Sequence, residues 1–325
     1  MTGMKRRGIL AASAAIAFAP GASRGQAWPT KPIRWVVPYT AGGLTDVATR
    51  LTLEKMSAIG QPFVVENKPG ANSLIAAEFV AKSAPDGYTF LTVIAAHAAN
   101  KTLYAGKLNF DPVTSFAPVA LVGIAPLILT VTNSLPVKNV GELIAYAKAN
   151  PGKISYGSSG VGAAAHLTSE LMKQVAGIEM VHVPYRGTAP ALADLTAGNI
   201  QMLIDAPIGV MSHARAGRIK ALAMFSKDRV TGADEVPTIV EAGGPLIESS
   251  TWVMFLAPAG TPKEIVDRLS AEVARATADA TLRKRFAELA VVPAGYNPTD
   301  TAKYLQSEIE KWSKVITTAG VKPDA

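Results

Sequence analysis

Short apolar runs rich in β-branched residues alternate with segments whose apolar positions recur every three to four residues, through most of the chain after residue 28. Such alternation predicts α/β layers. Residues 33–37 read as a strand leading into Pro38-Tyr39-Thr40-Ala41-Gly42-Gly43, after which Leu44, Val47, Ala48 and Leu51 share one helical face. Residues 63–66 form another strand, closed by the turn Asn67-Lys68-Pro69-Gly70. Residues 74–82 are helical, Pro85-Asp86-Gly87 turns the chain, and residues 88–94 return to strand. The apolar stretch 121–131, interrupted by Gly123 and Pro126, includes a strand that crosses to a second lobe.

Residues 140–149 predict a helix stopped by Asn150-Pro151-Gly152. Residues 153–156 then repeat the opening theme of strand, glycine-rich loop and helix, and further strands fall at 180–183, 202–205 and 219–225. Residues 252–256 read as a second crossing. Thr261-Pro262 reads as a capped start with proline at the first helical position, and the rest as mainly helical. Leu305, Ile309, Trp312 and Ile316 form one apolar stripe that docks on a lobe. The simplest assembly is two α/β lobes joined by two crossing strands, with the C-terminal helices returning to the first. Residues 28–129 and 251–325 would make the first lobe and residues 130–250 the second.

Composition narrows the function more than the fold. Of 325 residues, 49% are hydrophobic and 18% charged, enough apolar material for about two buried cores of ordinary domain size and too much for a disordered chain. The formal charge of +7 suggests nucleic acid at first sight, but Lys5, Arg6, Arg7 and Arg24 stand in a leading segment without acids, and +3 remains beyond residue 27. No basic block interleaved with aromatics appears, so a nucleic-acid partner is not expected. That leading segment reads as a secretory signal and resembles the twin-arginine kind: Lys5-Arg6-Arg7, a run of small apolar residues from Gly8 to Pro20, and Gly25-Gln26-Ala27 at the cleavage site. A mature chain beginning at Trp28 in the periplasm follows. The absence of cysteine excludes disulfides, thiolate chemistry and cysteine-based metal sites.

Two glycine-rich strand-to-helix junctions hold the candidate chemistry: Tyr39, Thr40, Ala41, Gly42, Gly43, Thr45 and Asp46 in one, Ser158, Ser159, Gly160, Gly162 and Ala163 in the other. A helix start offers unpaired N–H groups and a positive dipole end, so such a loop binds anionic oxygens without a basic side chain. The same loops could simply be tight turns that pack helix on sheet. The second spells G-x-x-G-x-G, which is neither the dinucleotide fingerprint nor a nucleotide-phosphate loop, and Val161 breaks a nucleophile elbow around Ser159. No two of His97, His166, His182 and His213 stand at metal-ligand spacing beside a glutamate, so no metal is expected. His97 follows a strand and either lines the cleft or is structural; His182, on an apolar strand, reads as structural. Tyr185 and Arg186 end a strand, where the guanidinium either pairs with a carboxylate or is solvated. Asp205 either meets a ligand or caps the helix after Pro207, and Asp46 has the same two readings.

These pieces, in order, resemble the substrate-binding proteins of tripartite tricarboxylate transporters, the Bordetella-uptake-gene (Bug) type. The resemblance rests on residues 28–34, Gly42-Gly43 with Asp46 and Arg50, residues 65–71, residues 85–89, Tyr156-Gly157-Ser158-Ser159-Gly160 with Gly162 and His166-Leu167, Val183-Pro184-Tyr185-Arg186-Gly187, and residues 257–262. It implies a periplasmic-binding-protein-like fold, a monomer that closes on a small carboxylate, no cofactor and no catalysis, and docking on a permease of a large and a small membrane subunit. After Gly162 the family often shows Ser or Thr where Ala163 and Ala164 stand, which implies a more apolar ligand, or one gripped more by Ser158, Ser159 and Arg186. Two other functions remain open on sequence: a periplasmic sensor subunit for the same ligand class, and an exported hydrolase using Ser159 with a histidine.

Overall fold

A computed structural model describes residues 28–323, so the signal expected over residues 1–27 lies outside the described residues. The elements run β1 (Ile33–Val37), α1 (Leu44–Glu54), β2 (Phe63–Asn67), α2 (Leu74–Ala81), β3 (Thr89–Val93), α3 (Ala96–Leu103), β4 (Phe116–Pro126) and β5 (Ile128–Thr132). Then come α4 (Val140–Ala149), β6 (Ile154–Ser158), α5 (Ala164–Ala176), β7 (Met180–Pro184), α6 (Thr188–Ala197), β8 (Met202–Asp205), α7 (Pro207–Arg215) and β9 (Ile219–Met224). The chain ends with β10 (Ser250–Pro258), α8 (Lys263–Ala278), α9 (Ala280–Glu288), β11 (Val292–Tyr296) and α10 (Pro298–Ala319).

Two mixed sheets result, one per lobe. The first has strand order β11-β4-β10-β3-β1-β2 and the second β7-β6-β8-β5-β9. β1 pairs in parallel with β2 and β3, and β6 with β7 and β8, so each of these pairs needs a crossover helix, which the alternating pattern supplies. In the first lobe Trp35 is fully buried, stacked on Phe90 and edge-on to Phe255, and its indole N–H donates to Thr92 Oγ1 at 2.9 Å.

Leu127 alone separates β4 from β5, so sheet membership changes there, two residues before the expected boundary. Pro126 has no N–H to offer a ladder and ends the first sheet's strand. The Leu127 N–H donates to Ser249 O at 3.0 Å, its carbonyl accepts from Phe225 at 2.8 Å, and the Ser249 N–H donates to Phe225 O at 2.9 Å. Three segments are thereby tied together where the chain passes between the lobes.

The C-terminal part is mainly helical as expected, with one strand added, and two other expectations need correction. The added strand, β11, pairs antiparallel with β4, and its irregular register, with Pro293 and Gly295 inside it, hides the strand's alternation. Helix α8 starts at Lys263 with Pro262 as an N-cap that makes no side-chain cap bond, and the Thr261 hydroxyl donates back to Pro258 O at 2.8 Å instead. Helix α10 buries its predicted stripe, but it serves both lobes, packing on α3 and β4 and also on α5. Its buried Glu308 accepts from the indoles of Trp252 at 2.9 Å and Trp312 at 3.0 Å, charge-assisted bonds worth about 1.5–3 kcal/mol each.

Candidate functional site

The parallel strands of both lobes aim their C-terminal ends at the gap between the sheets, where open α/β sheets bind ligands. A cavity of about 320 Å³ lies there. Lobe one contributes Tyr39, Thr40, Gly42, Gly43, Leu44 and Thr45 from the β1–α1 junction, then Asn72, Ile94 and Ala96. Lobe two contributes Ser159 and Ala163 to Ala165 from the β6–α5 junction, Gly187 and Thr188 at the start of α6, and Asp205, Ala206, Ile208 and Gly209 at the start of α7. Leu127 and Thr251, on the crossing segments, complete the wall.

Five helices therefore begin at this one cavity: α1, α3, α5, α6 and α7. None has a side-chain cap; their N-cap residues are Gly43, Ala95, Ala163, Gly187 and Ala206. Elsewhere α4, α9 and α10 are capped by Asn139, Asp279 and Asn297. The amides of Gly43, Leu44 and Thr45 in one lobe, and of Ala164 and Ala165 in the other, meet no acceptor among the described residues. Each helix start carries roughly half a positive charge, so the cavity favours an anion although, among the described residues, no Lys, Arg or His lines it.

Both loops are braced from behind. Asp46 is buried and accepts from the Gly42 N–H at 3.0 Å, Arg50 Nε at 2.9 Å and Asn67 Nδ2 at 3.0 Å. Burial alone would raise its pKa; the Gly42 amide, Asn67 and the Arg50 guanidinium outweigh that and hold it below the usual carboxylate range. In the second loop Ser158 Oγ accepts from Gly160 N–H at 3.3 Å and lies 2.7 Å from His182 Nε2, while His166 Nδ1 accepts from Gly162 N–H at 3.1 Å. The two imidazoles stack with centroids 3.8 Å apart. Burial and then the neighbouring charges of His182 and Lys173 push the His166 pKa down to about 3, which keeps that acceptor unprotonated.

The lobes touch beside the cavity. Asn72 Nδ2 donates to Asn100 Oδ1 at 3.2 Å within lobe one and reaches Val161 O of lobe two at 3.4 Å. Asn72 stands in a run of three non-glycine residues at positive φ, Ala71, Asn72 and Ser73 at 45°, 48° and 76°, a conformation that costs roughly 1–2 kcal/mol per residue. Strain of this kind persists where the surroundings enforce it, commonly at ligand clamps.

Of the residues singled out in the sequence, Tyr39, Thr40, Gly42, Gly43, Thr45, Ser159, Ala163 and Asp205 line the cavity. Ala41, Asp46, Ser158, Gly160 and Gly162 belong to the same two loops but not to the wall. His97 does not reach it: on α3 and fully buried, it bonds Pro112 O through Nε2 at 2.8 Å and packs edge-on to Phe116. Tyr185 turns away to donate to Asp194 Oδ2 at 2.6 Å. Arg186 is exposed, without a hydrogen bond or ion pair among the described residues. Asp205 accepts from the Thr188 hydroxyl at 2.6 Å and from the Ala206 N–H at 2.7 Å, so it fixes the start of α6 against the start of α7; burial raises its pKa and these two bonds offset that only in part. Asn72, Thr188 and Thr251 were not anticipated. Thr188 directly follows the Tyr185-Arg186-Gly187 stretch, whereas nothing local marks Thr251.

The serine–histidine contact of this structure belongs to Ser158, which is fully buried and outside the wall; Ser159, which lines the cavity, has no histidine partner among the described residues. Among the described residues no group of three or more His, Cys, Asp or Glu side chains is placed to hold a metal ion, and no helix is long and apolar enough to cross a membrane.

Known proteins share this fold. The family model described as "Tripartite tricarboxylate transporter family receptor" matches residues 47–321. BugT of Bordetella pertussis is 33% identical over 317 residues, covering 97% of this chain and 96% of its own. Rpa4515 of R. palustris, solved with adipate, superposes with a TM-score of 0.84 at 39% identity, over 91% of this chain and all of that one. MatC of Rhodopseudomonas palustris, solved with bound malate, gives 0.79 at 32% identity, over 89% of this chain and all of that one. The chain belongs to the tripartite tricarboxylate transporter receptors, the family of the Bug proteins, whose members are solute-binding proteins and not enzymes.

Proposed function

We propose that this protein is an exported receptor that closes on one small carboxylate in the interlobe cavity and delivers it to a membrane permease built of a large and a small subunit. The observation that carries the reading is the convergence of unpaired helix-start amides from both lobes on one cavity that, among the described residues, no basic side chain lines. A carboxylate held by the α1 amides gains its second set of hydrogen bonds only when lobe two approaches, so ligand shifts the population towards the closed form. The segment connecting the sheets at Leu127 and at Phe225 to Ser249 is the place for that hinge. Adipate and malate, the acids bound by two relatives, are the first ligands to test. The periplasm follows from the charged and apolar pattern of residues 1–27 and from relatives that are periplasmic binding proteins.

A thermal-unfolding screen of carboxylic acids tests this. An acid at a hundred times its Kd stabilises the fold by about 2.7 kcal/mol, an upward shift of a few degrees for a protein of this size. A panel of mono-, di- and tricarboxylates that leaves the midpoint unmoved contradicts the receptor reading.

A further inference from the structure

Among the described residues only three buried side-chain polar atoms lack a hydrogen-bond partner: Tyr39 Oη, Thr251 Oγ1 and His213 Nδ1. Two of the three, Tyr39 and Thr251, belong to the wall of the same cavity, one at the end of β1 and one on the crossing strand β10. A buried hydroxyl without a partner destabilises a fold, so two in one wall require a reason. Thr251 is only 7% exposed, and burial pushes the Tyr39 pKa well above that of a free phenol; the Ser73 side chain is near enough to draw it back in part without completing a hydrogen bond to the phenol. Both hydroxyls are therefore neutral, able to donate and to accept.

The rest of the wall sets the ligand's body and charge. Leu44, Ile94, Leu127 and Ile208 supply large apolar surface, and Ala163 to Ala165 and Ala206 supply small apolar surface. Among the described residues the only charged side chain lining it is Asp205, an acid; Arg186 stands exposed beyond Gly187. Helix starts in two lobes can each take a carboxylate, but a third charge would be buried against alanines and a carboxyl group with no cation to pair it.

We propose, on the basis of the receptor reading above, that this cleft selects carboxylates with an apolar body and no more than two charges, and that the Tyr39 and Thr251 hydroxyls are side chains that bind them. Tricarboxylates such as citrate are excluded by the wall's chemistry.

Isothermal calorimetry with hexanoate, adipate and citrate on the purified protein, together with Thr251→Val and Tyr39→Phe, tests this. Either hexanoate or adipate is expected to bind at least tenfold more tightly than citrate, and each variant to weaken that acid roughly tenfold, the loss of about one buried hydrogen bond. Without ligand, each variant should unfold in urea at the same or a higher concentration than the parent, because an unpaired polar group has been removed. A hydroxyl with a purely structural role would do the reverse, lowering the urea midpoint and sparing affinity, and that result overturns the assignment. Citrate binding as tightly as the other two overturns the selectivity while leaving a carboxylate receptor in place. No heat with any of the three acids, together with an unmoved thermal midpoint across the wider panel, overturns the receptor reading itself.

Discussion

Replacing Asp46 with asparagine removes the brace behind the first ligand loop while changing almost no volume. In the parent, Oδ1 accepts from Arg50 Nε and Asn67 Nδ2, and Oδ2 accepts from the Gly42 N–H. An asparagine can keep the Oδ1 pair, but its NH2 then faces the Gly42 N–H, donor against donor. The lost charge-assisted bond is worth about 1.5–3 kcal/mol. The Arg50 ion pair adds less than about 1 kcal/mol, because that guanidinium is half exposed. Asp46→Asn should therefore destabilise the protein by about 2–3 kcal/mol at neutral pH, read from urea unfolding. The pH dependence has a fixed sign: the folded-state pKa is held below the unfolded value, so the contribution is present above about pH 4 and is lost as pH falls through the folded value. The gap between parent and variant should narrow in acid. Carboxylate affinity should also drop, since Gly43 to Thr45 lose their anchor. A difference under about 0.5 kcal/mol at neutral pH, or a gap that widens in acid, refutes the bracing role.

Gly162→Ala and Gly42→Ala place alanine at similar positive φ, +79° and +87°, and each should lose about 1–2 kcal/mol of stability. Only at position 162 does the added Cβ overlap Leu103 of the other lobe, so Gly162→Ala should weaken carboxylate binding by tenfold or more in calorimetry, and by more than Gly42→Ala, whose strain stays within one loop; equal losses of affinity for the two variants would show that the contact does not limit closure. Burial holds the His97 pKa down to about 4, against the opposing pull of Pro112 O and Asp111, so its ring should remain neutral at pH 5 in an NMR titration. Because its unfolded value is about 6.5, the stability it contributes is whole above that pH and declines as pH falls towards the folded value; a ring that titrates near 6.5 contradicts its buried placement.

The lobes were legible in the sequence because their elements carry period. Residues 33–37 alternate with a helix whose face repeats at three and four residues, and the same theme returns at residues 153–156. The two loops were legible for a related reason, since glycines between a strand and a helix have few uses. Helix α3 escaped because Ala96 to Asn100 offer no contrast between faces, and β11 because Pro293 and Gly295 break its alternation. The place of His97 after a strand left it between the cleft and a structural role, because position alone does not fix a direction; its ring turns to Pro112. Thr251 and Asn72 could not be read at all. Each joins the site through contacts between segments far apart in the chain, Asn72 with Val161 of the other lobe and Thr251 across the crossing strands.

The central claim is that backbone amides of both lobes hold one ligand, and a crystal structure with the acid that most raises the unfolding temperature tests it directly. Carboxylate oxygens should lie at about 2.7–3.2 Å from amides at the start of α1 and also from amides at the start of α5, α6 or α7. A ligand held by one lobe only, or by the Arg186 guanidinium without an amide from either helix start, contradicts the account.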